Sequence, residues 1–265
     1  LFPSYTELDP YRMAVAAIDT AIRGLVAIGV PLETIALLDN FCWCSSDEPG
    51  RLWQLKRAAF GCRDGAVAFR TPFISGKDSM FNDFSGFDAE SNPVKVSALP
   101  TLLISSIGVH PDVAAAVSMD AKFDGDLVYV VGETGEELGG SEYNALLGIQ
   151  GGAVPSLEIE TAKVRYGRMT DAIEKKLVAS AFPVTHGGLL VALSPDRYLF
   201  SESLGRFVVT IAPSDREAFE EIFGTDAHLL GRVDGTVFRV SAGKTLIEQP
   251  VTAMEAAYKA PFGGY

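Results

Sequence analysis

The pattern of apolar and polar positions predicts a long helix near the start of the chain. Asp9-Pro10 has the form of an N-cap followed by proline at the first helical position, and Gly29 supplies a C-terminal stop. Between them, the stretch YRMAVAAIDTAIRGLVAIGV carries apolar residues on nearly every face. Its few polar residues share one stripe, on which Asp19 and Arg23 have the i,i+4 spacing of an ion pair. The pattern therefore predicts a helix that is buried on two sides.

Short apolar runs after this helix predict strands that end in polar residues. The predicted elements are strands at 35–38 and 73–74, a helix near 50–69 and β-rich residues at 94–109. The first strand runs into Asp39 and Asn40, and the second ends in the loop segment Gly76-Lys77-Asp78-Ser79. Both strand ends are therefore candidate positions for a ligand site.

The character of the chain changes near residues 111–123, and new elements follow. They are a turn at 124–126, strands at 127–131 and 207–211, helices around Tyr143 and near 170–181, a helix capped by Ser214 and Glu217 that ends near Gly224, and a hairpin over 228–247. Each half mixes strands with helices, and neither contains an internal repeat. We therefore predict an α+β fold with two domains, 1–118 and 119–265.

Composition and charge narrow the class of partner. The chain has 265 residues, of which 48% are hydrophobic, and a formal net charge of −12. It can therefore bury a core, and its acidity argues against binding to nucleic acid or to an anionic membrane. No apolar run reaches the ~18 residues of a membrane span, and no secretory signal pattern opens the chain. Cys42, Cys44 and Cys62 lack metal-site spacing, so reduced thiols in a cytoplasmic protein are expected.

The segment TPFISGKDSMFND contains a near match to a phosphate-binding loop. A Walker loop requires Gly-x-x-x-x-Gly-Lys-Ser/Thr, but Thr71 and Asp78 stand at two of its defining positions. Phosphate chemistry is still available, because Gly76 permits a close backbone approach, Lys77 is cationic, Ser79 can donate a hydrogen bond and Asp78 can hold Mg²⁺. The alternative is a tight turn after a strand, with Lys77 and Asp78 solvated.

Other polar residues are weaker candidates, and each has an ordinary structural explanation. Asp39 and Asn40 would reach into a cleft at the end of their strand, or they would form a turn or a helix cap. Glu202 and Ser203 would form a polar ligand clamp or an ordinary loop. Among the three histidines, His186 in the loop Thr-His-Gly-Gly is the plausible functional residue. These positions give no Ser-His-Asp or Cys-His set.

Taken in order, seven segments resemble one family. They are DPYRMAVAAIDTAIRGLVAIGV, LLDNFCW, TPFISGKDSMFND, VSALPTLLISSIG, LGGSEY, GGLLVAL and LFSESLGRF. The series resembles the C-terminal half of phosphoribosylformylglycinamidine synthase, in the aminoimidazole ribonucleotide synthetase superfamily. The resemblance covers essentially the whole chain. It implies an N-terminal α/β domain that contributes strands to a β-barrel between two units, followed by a C-terminal α+β domain.

The resemblance also implies an activity and partners. The family forms formylglycinamidine ribonucleotide from formylglycinamide ribonucleotide, ATP and ammonia, with Mg²⁺ and with a glutaminase domain or subunit as the ammonia source. The general base and most substrate contacts belong to the first half of such an enzyme, so no catalytic residue is expected here. A fragment lacking that half is expected to be inactive alone. One face of its first helix would then be free, and the fragment would form a homodimer.

Individual site residues follow from the resemblance. Asp39 and Gly76 match nucleotide-binding positions, and Ser79 matches a substrate-binding position. Lys77 stands where many members have a metal-binding asparagine, so Asp78 is the alternative metal ligand. His186 replaces an aspartate of the family, which implies a degenerate auxiliary pseudo-site with Glu202 and Ser203.

Two other classes of function stay open at this point. One is a self-sufficient dimeric relative, such as aminoimidazole ribonucleotide synthetase or a selenophosphate-synthetase-like enzyme. Those enzymes carry a glycine-rich segment upstream of the first helix, and none precedes Asp9 in this sequence. The other is a non-catalytic scaffold half with a vestigial nucleotide site.

Overall fold

A computed structural model describes residues 1–190, 200–242 and 244–263. The helices of these residues are α1 (Pro3–Thr6), α2 (Pro10–Val26), α3 (Pro49–Phe69), α4 (Glu142–Leu146), α5 (Ile159–Glu174), α6 (Arg216–Phe223) and α7 (Val251–Lys259). Short 3₁₀ turns connect several of them. None of the helices in these ranges is both long and apolar enough to cross a membrane.

The strands form one sheet in each half of the chain and two separate hairpins. In order they are β1 (Ala36–Cys42), β2 (Phe73–Ser79), β3 (Asp83–Phe87), β4 (Pro93–Ser97), β5 (Thr101–Ile107), β6 (Leu127–Val131), β7 (Ser180–Pro183), β8 (Phe207–Ile211), β9 (Ala227–Arg232), β10 (Val237–Ala242) and β11 (Lys244–Pro250). The first sheet has the order β2-β1-β5 and the second β7-β8-β6-β9. The hairpins are β3-β4 and β10-β11.

In the first sheet, β1 is parallel to β2 and antiparallel to β5. The parallel pairing contains one bulge: Leu37 lies opposite Phe73 and Leu38 opposite Ser75, so Ile74 has no partner on β1. Side chains alternate across the sheet. On β5, Leu102 is buried and Ser106 donates a hydrogen bond to a carbonyl of α2, whereas the alternate residues, such as Leu103 and Ile107, are exposed. The first sheet therefore has one face covered by helices and one open face.

Helix α2 is the central element of the fold. The side chain of Asp9 caps its N-terminus by accepting hydrogen bonds from the backbone N–H groups of Tyr11 and Arg12, both at 3.0 Å. One side of α2 packs closely on α3, where a Cβ atom at Gly61 would lie 2.5 Å from the Tyr11 carbonyl oxygen. The other sides contact α1, β5, α5 and β7. Burial on two sides is confirmed, but both sides are covered within this chain, so the expectation of a free face on this helix is wrong.

The second sheet is antiparallel throughout and covers α5 and α6 with one face. Its residues Tyr129, Val131, Phe207 and Val209 join Ile18 and Ile22 of α2 in a single buried cluster. The apolar core therefore runs from the first half of the chain into the second. The domain boundary near residue 118 stays a prediction, as does the barrel between units.

A buried ion pair lies where the two halves meet. Arg23 Nε donates to Asp19 Oδ2 over 2.6 Å, and both side chains are fully buried. Arg23 Nη1 also donates to the carbonyl oxygens of Val184 and Arg206. The Tyr166 hydroxyl donates to the second oxygen of Asp19. The predicted i,i+4 pair is thus confirmed, and it binds α2 to the second half of the chain.

Several sequence predictions are wrong in detail. The predicted helix at 170–181 lies instead at Ile159–Glu174, and residues 180–183 form β7. Ser214 and Glu217 form no capping box, because Ser214 lies in a 3₁₀ turn and Asp215 occupies the N-cap without a side-chain bond. In the predicted hairpin at 228–247, β9 pairs with β6, and the hairpin is formed by β10 and β11. For β7 and β9, pairing with strands distant in sequence outweighs the local signal.

We predict that Arg23→Ala destabilises the protein by about 3–5 kcal/mol, because it leaves the Asp19 carboxylate buried without its charged partner. Arg216→Ala is the matched control, since Arg216 and Glu220 form an i,i+4 pair that is largely exposed. Its removal should cost about 0.5 kcal/mol or less. Urea unfolding of the two variants checks this, and equal losses would contradict the proposed importance of the buried pair.

The buried carboxyl of Asp126 predicts a pH-dependent stability. Its Oδ2 atom has no hydrogen-bond partner among the described residues, and burial, followed by the charge of Asp215, raises its pKa above the ordinary 3.8. A raised pKa in the fold gives a stability contribution that is present below 3.8 and is lost as the pH rises through the folded value. Asp126→Asn should therefore stabilise the protein at pH 7 relative to the unchanged chain, and much less at pH 3. Urea unfolding at both pH values measures the difference; a variant that is less stable at pH 7 would refute the prediction.

Candidate functional site

The candidate residues of the first half lie inside strands and not in loops beyond them. Asp39 and Asn40 occupy the middle of β1, and the segment Gly76-Lys77-Asp78-Ser79 forms the second half of β2. The expectations of a polar strand end at Asp39 and of a loop at Gly76 are therefore wrong. Parallel pairing explains the difference, because each segment gains backbone hydrogen bonds that local sequence signals do not reveal.

The register of β1 and β2 divides the candidates between the two faces of the sheet. Asp39 lies opposite Gly76, and Phe41 lies opposite Asp78, on the face covered by helices. Lys77 lies opposite Asn40, and Ser79 opposite Cys42, on the open face. The structure thus brings Asp39, Gly76 and Asp78 together, and separately brings Lys77 and Ser79 together.

On the covered face, the Asp39 carboxylate lies directly over Gly76. A Cβ atom at Gly76 would be 2.5 Å from Asp39 Oδ1 and 3.0 Å from Oδ2. Burial raises the pKa of Asp39, and the nearby charge of Asp78 raises it further. On α3, burial and the Asp39 charge raise the pKa of Cys62 to about 12, which makes Cys62 an inert thiol next to this carboxylate. Asp39 is therefore partly desolvated, whereas Gly76 and Asp78 on the same face are exposed.

The open face carries a cation among uncharged groups. Lys77 Nζ donates to Ser79 Oγ over 2.8 Å, and no carboxylate lies within 4.0 Å of Nζ in the part of the chain that the structure describes. The other residues of this face on the three strands are uncharged: Ala36, Leu38, Asn40, Cys42, Ser75, Thr101, Leu103, Ser105 and Ile107. This arrangement suits a negatively charged or polar ligand and has no carboxylate to repel it.

The donor set for a metal is limited to two carboxylates on the covered face. Among the described residues, no group of three His, Cys, Asp or Glu side chains is arranged to hold a metal ion. Mg²⁺ bound with a nucleotide commonly uses one or two carboxylates together with phosphate oxygens, and Asp39 and Asp78 fit that pattern. Lys77 does not, because an ammonium group has no free electron pair and its side chain lies on the opposite face.

Glu202 and Ser203 are both buried, and their side chains belong to two different hydrogen-bond networks. Glu202 accepts hydrogen bonds from the Tyr5 hydroxyl at 2.5 Å and from the backbone N–H groups of Glu142 and Gly187. His186 Nδ1 lies 3.9 Å from Glu202 Oε2, and its Nε2 bonds to the Leu1 carbonyl. Of the predicted auxiliary group, His186 and Glu202 are therefore close neighbours.

Ser203 belongs to a network that contains residues the sequence did not single out. Its hydroxyl donates to Glu137 Oε2 over 2.6 Å and accepts from the Gly135 N–H. Arg206 donates to the Ser203 carbonyl at 2.8 Å and to the Ser201 carbonyl at 2.7 Å. Burial, followed by the charge of Arg23, lowers the pKa of Arg206 to about 10. Only the clustering of charges in GETGEELGG and SESLGR hinted at Glu137 and Arg206, since burial of a charge leaves no local pattern.

Comparison with known proteins shows which proteins this chain is similar to. The chain matches no family model. It is 31% identical to the phosphoribosylformylglycinamidine synthase subunit PurL of Thermococcus sibiricus over 282 residues, which cover 97% of this chain and 38% of that protein. The chain thus spans less than two fifths of the length of this curated relative.

Solved structures show the same fold. T. maritima PurL complexed with FGAR has a TM-score of 0.70 and 18% identity, covering 95% of this chain and 44% of that chain. T. maritima PurL complexed with ATP has a TM-score of 0.65 and 18% identity, covering 94% and 42%. The predicted α+β fold is therefore confirmed, and it is the fold of these PurL structures. Over 97% of its length, the chain is thus similar to part of the phosphoribosylformylglycinamidine synthase subunit PurL.

Proposed function

We propose that this chain is the C-terminal half of an ATP-dependent carbon–nitrogen ligase that forms an amidine in purine biosynthesis. The observation that carries the proposal is the division of β2: Gly76 and Asp78 lie with Asp39 on one face, and Lys77 and Ser79 lie on the other. The match to PurL over 97% of the chain supports the reaction class. The superposition on PurL complexed with ATP supports a nucleotide as ligand.

In the proposed reaction, the amide oxygen of formylglycinamide ribonucleotide attacks the γ-phosphorus of ATP. The bond from that phosphorus to the β,γ-bridging oxygen breaks, which gives an iminophosphate and ADP. Ammonia then attacks the imidate carbon, the C–O bond breaks, and phosphate leaves to give the amidine. Catalysis of this kind depends on positioning and on neutralising phosphate charge. The chain contributes binding groups, and it supplies no general base in this proposal.

Each face of the sheet has a separate role in this proposal. On the covered face, Asp39 and Gly76 form the nucleotide site, and Asp39 with Asp78 would hold the Mg²⁺ that neutralises the phosphates of the nucleotide. On the open face, Ser79 binds the ribonucleotide substrate, and Lys77 supplies positive charge. In the described residues β2 pairs with β1 alone, so its other edge is where ligands on the two faces can meet.

The partners follow from the part of the enzyme that this chain does not contain. The N-terminal half would supply the general base and most substrate contacts, and a glutaminase domain or subunit would supply ammonia. The domain division near residue 118 belongs to this proposal, with the first domain contributing β1, β2 and β5 to a barrel shared with the missing half. Because the open face of that sheet is uncovered in this chain, the chain alone would be inactive.

The auxiliary pseudo-site is structural in this proposal. The side chains of Glu202 and Ser203 are buried and bonded to Tyr5, Glu137 and backbone groups, so they have little capacity left for a ligand. His186 contacts the Phe2 ring, with 4.5 Å between ring centroids. The site would therefore stabilise the fold and would not bind a second nucleotide.

We predict that the chain alone shows no ammonia-dependent ADP release, and that a separately supplied N-terminal half of a PurL relative restores it. Asp39→Ala and Ser79→Ala should each lower the restored rate by roughly 10–100-fold, because each loses a bond to a charged or polar ligand. Ser75→Ala is the matched control, since Ser75 lies on the same strand and the same open face. ADP release measured by a coupled assay provides the rates.

The outcomes of this experiment separate the alternatives. Turnover by the chain alone would instead favour a self-sufficient dimeric enzyme. Nucleotide binding without turnover after complementation would favour a scaffold half. Equal losses for Ser79→Ala and Ser75→Ala would contradict a specific role of Ser79.

We further predict that the chain forms a homodimer at high concentration through the open face of the first sheet. Its apolar residues include Ile107, which is 57% exposed. Ile107→Glu should weaken the dimer by about tenfold or more, because it would bury a charge among the apolar residues at one end of this face. Val164→Glu is the control, since Val164 is 56% exposed on α5, outside this face. Light scattering across a concentration series measures the mass, and a monomer at every concentration would refute the prediction.

A further inference from the structure

Gly76 lacks a side chain because the Asp39 carboxylate fills the space that one would occupy. A Cβ atom at this position would lie 2.5 Å from Asp39 Oδ1, 2.9 Å from Cγ and 3.0 Å from Oδ2. Real Cβ atoms essentially never approach other heavy atoms so closely. Either the carboxylate or the strand would have to move to admit even one methyl group.

Backbone conformation does not explain this glycine. Gly76 is absent from the residues with positive φ, which include Gly29, Gly132 and Gly205. It lies in a regular part of β2, paired with Asp39, where other residues adopt the same backbone readily. In strands a glycine is otherwise unfavourable, because it loses conformational entropy and packs no side chain. The requirement at position 76 is therefore one of space.

The Asp39 carboxylate is partly buried, and neighbouring groups restrict where it can move. Leu37 and Phe41, which precede and follow it on the same face of β1, are both buried. Cys62 on α3 is buried close enough for the Asp39 charge to affect its thiol. Asp78 on the same face presents a like charge. An Asp side chain also has only two rotatable bonds, so few alternative positions exist.

We propose that Gly76 is a positioning residue: because it has no side chain, the Asp39 carboxylate can lie against the backbone of β2, next to Cys62 of α3. We call this arrangement of Asp39 over Gly76 the seat. The role of Gly76 in nucleotide binding rests on the function proposed above, but the seat itself does not. Gly76 would thus act through Asp39, and the close approach of backbone to ligand would be secondary. The seat also accounts for the choice of Asp39, because the longer side chain of Glu would extend beyond Gly76.

A double-mutant cycle on stability tests the seat without any ligand. Gly76→Ala should lower the urea midpoint of the full chain by about 0.5 M, because the added methyl group would clash with the Asp39 carboxylate. In an Asp39→Ala background the same change should shift the midpoint by less than about 0.1 M, since the clash is gone. Asp39→Ser is a second small background in case Asp39→Ala folds poorly. Gly231→Ala is the matched control, because Gly231 also lies in a strand and a Cβ atom there meets nothing within 4 Å.

A third background distinguishes the effect of the size of the Asp39 side chain from the effect of its charge. Asp39→Asn keeps the bulk of the side chain and removes its charge, so Gly76→Ala should remain as costly there as in the unchanged chain. If Gly76→Ala lowers the midpoint equally in the Asp39→Ala, Asp39→Asn and unchanged backgrounds, the seat is refuted. It is also refuted if Gly76→Ala has no effect in the unchanged chain.

Binding of Mg·ATP to the complemented enzyme, measured by calorimetry, distinguishes the seat from the proposed function. If Gly76 acts only through Asp39, Gly76→Ala should weaken binding at least tenfold in the unchanged chain and less than twofold in the Asp39→Ala background. An equal loss in both backgrounds would show a direct contact between Gly76 and the nucleotide and would overturn the positioning role. Coupling in the stability cycle without any binding of ATP would leave the seat intact and refute the proposed function.

Discussion

The buried ion pair of Asp19 and Arg23 is the interaction on which the rest of the structure depends. Its two charges lie on the helix at the centre of the fold. Their remaining hydrogen bonds go to residues from the second half of the chain, apart from one that Arg23 donates to Thr20 on the same helix. A desolvated pair is stabilising only when such partners are all in place. The pair therefore fixes how α2 and the loop around Arg206 face each other, and through the packing of α2 on β5 and α3 it also fixes the first sheet.

Strand geometry then decides which charged side chains lie on each face of the first sheet. Side chains on β2 alternate, so a carboxylate and an ammonium group that are neighbours in sequence, Asp78 and Lys77, are held on opposite sides of the sheet. This keeps the cation from forming an internal salt bridge with Asp39 or Asp78. Residues 76–79 thus contribute to two sites of opposite charge, one on each face. On the acidic face, burial and the charge of Asp78 raise the pKa of Asp39.

The sequence was informative where local signals are strong. Propensity, spacing and alternation predict the cap at Asp9, the pair Asp19–Arg23 and the strand at 127–131. The resemblance to a family rests on motifs that occur in the family's order. It misplaced the helix at 170–181, and it read Asp39 and Gly76 as strand ends. Those features depend on pairing between distant segments. The steric relation of Gly76 to Asp39 has no local signature at all, because it arises from the register of two strands that lie more than thirty residues apart.

The unpaired residue Ile74 has a consequence for how this strand can change length. It is the extra residue of the bulge, and the pairing resumes beyond it with Ser75 opposite Leu38. Loss of Ile74 would remove the bulge and leave the partners of Gly76 and Ser79 unchanged. Loss or gain of a residue between 75 and 79 would instead shift the register by one residue. Every side chain beyond that point on β2 would then move to the opposite face of the sheet. A change in length at the bulge would therefore preserve the division of residues between the two faces, and a change a few residues later would not.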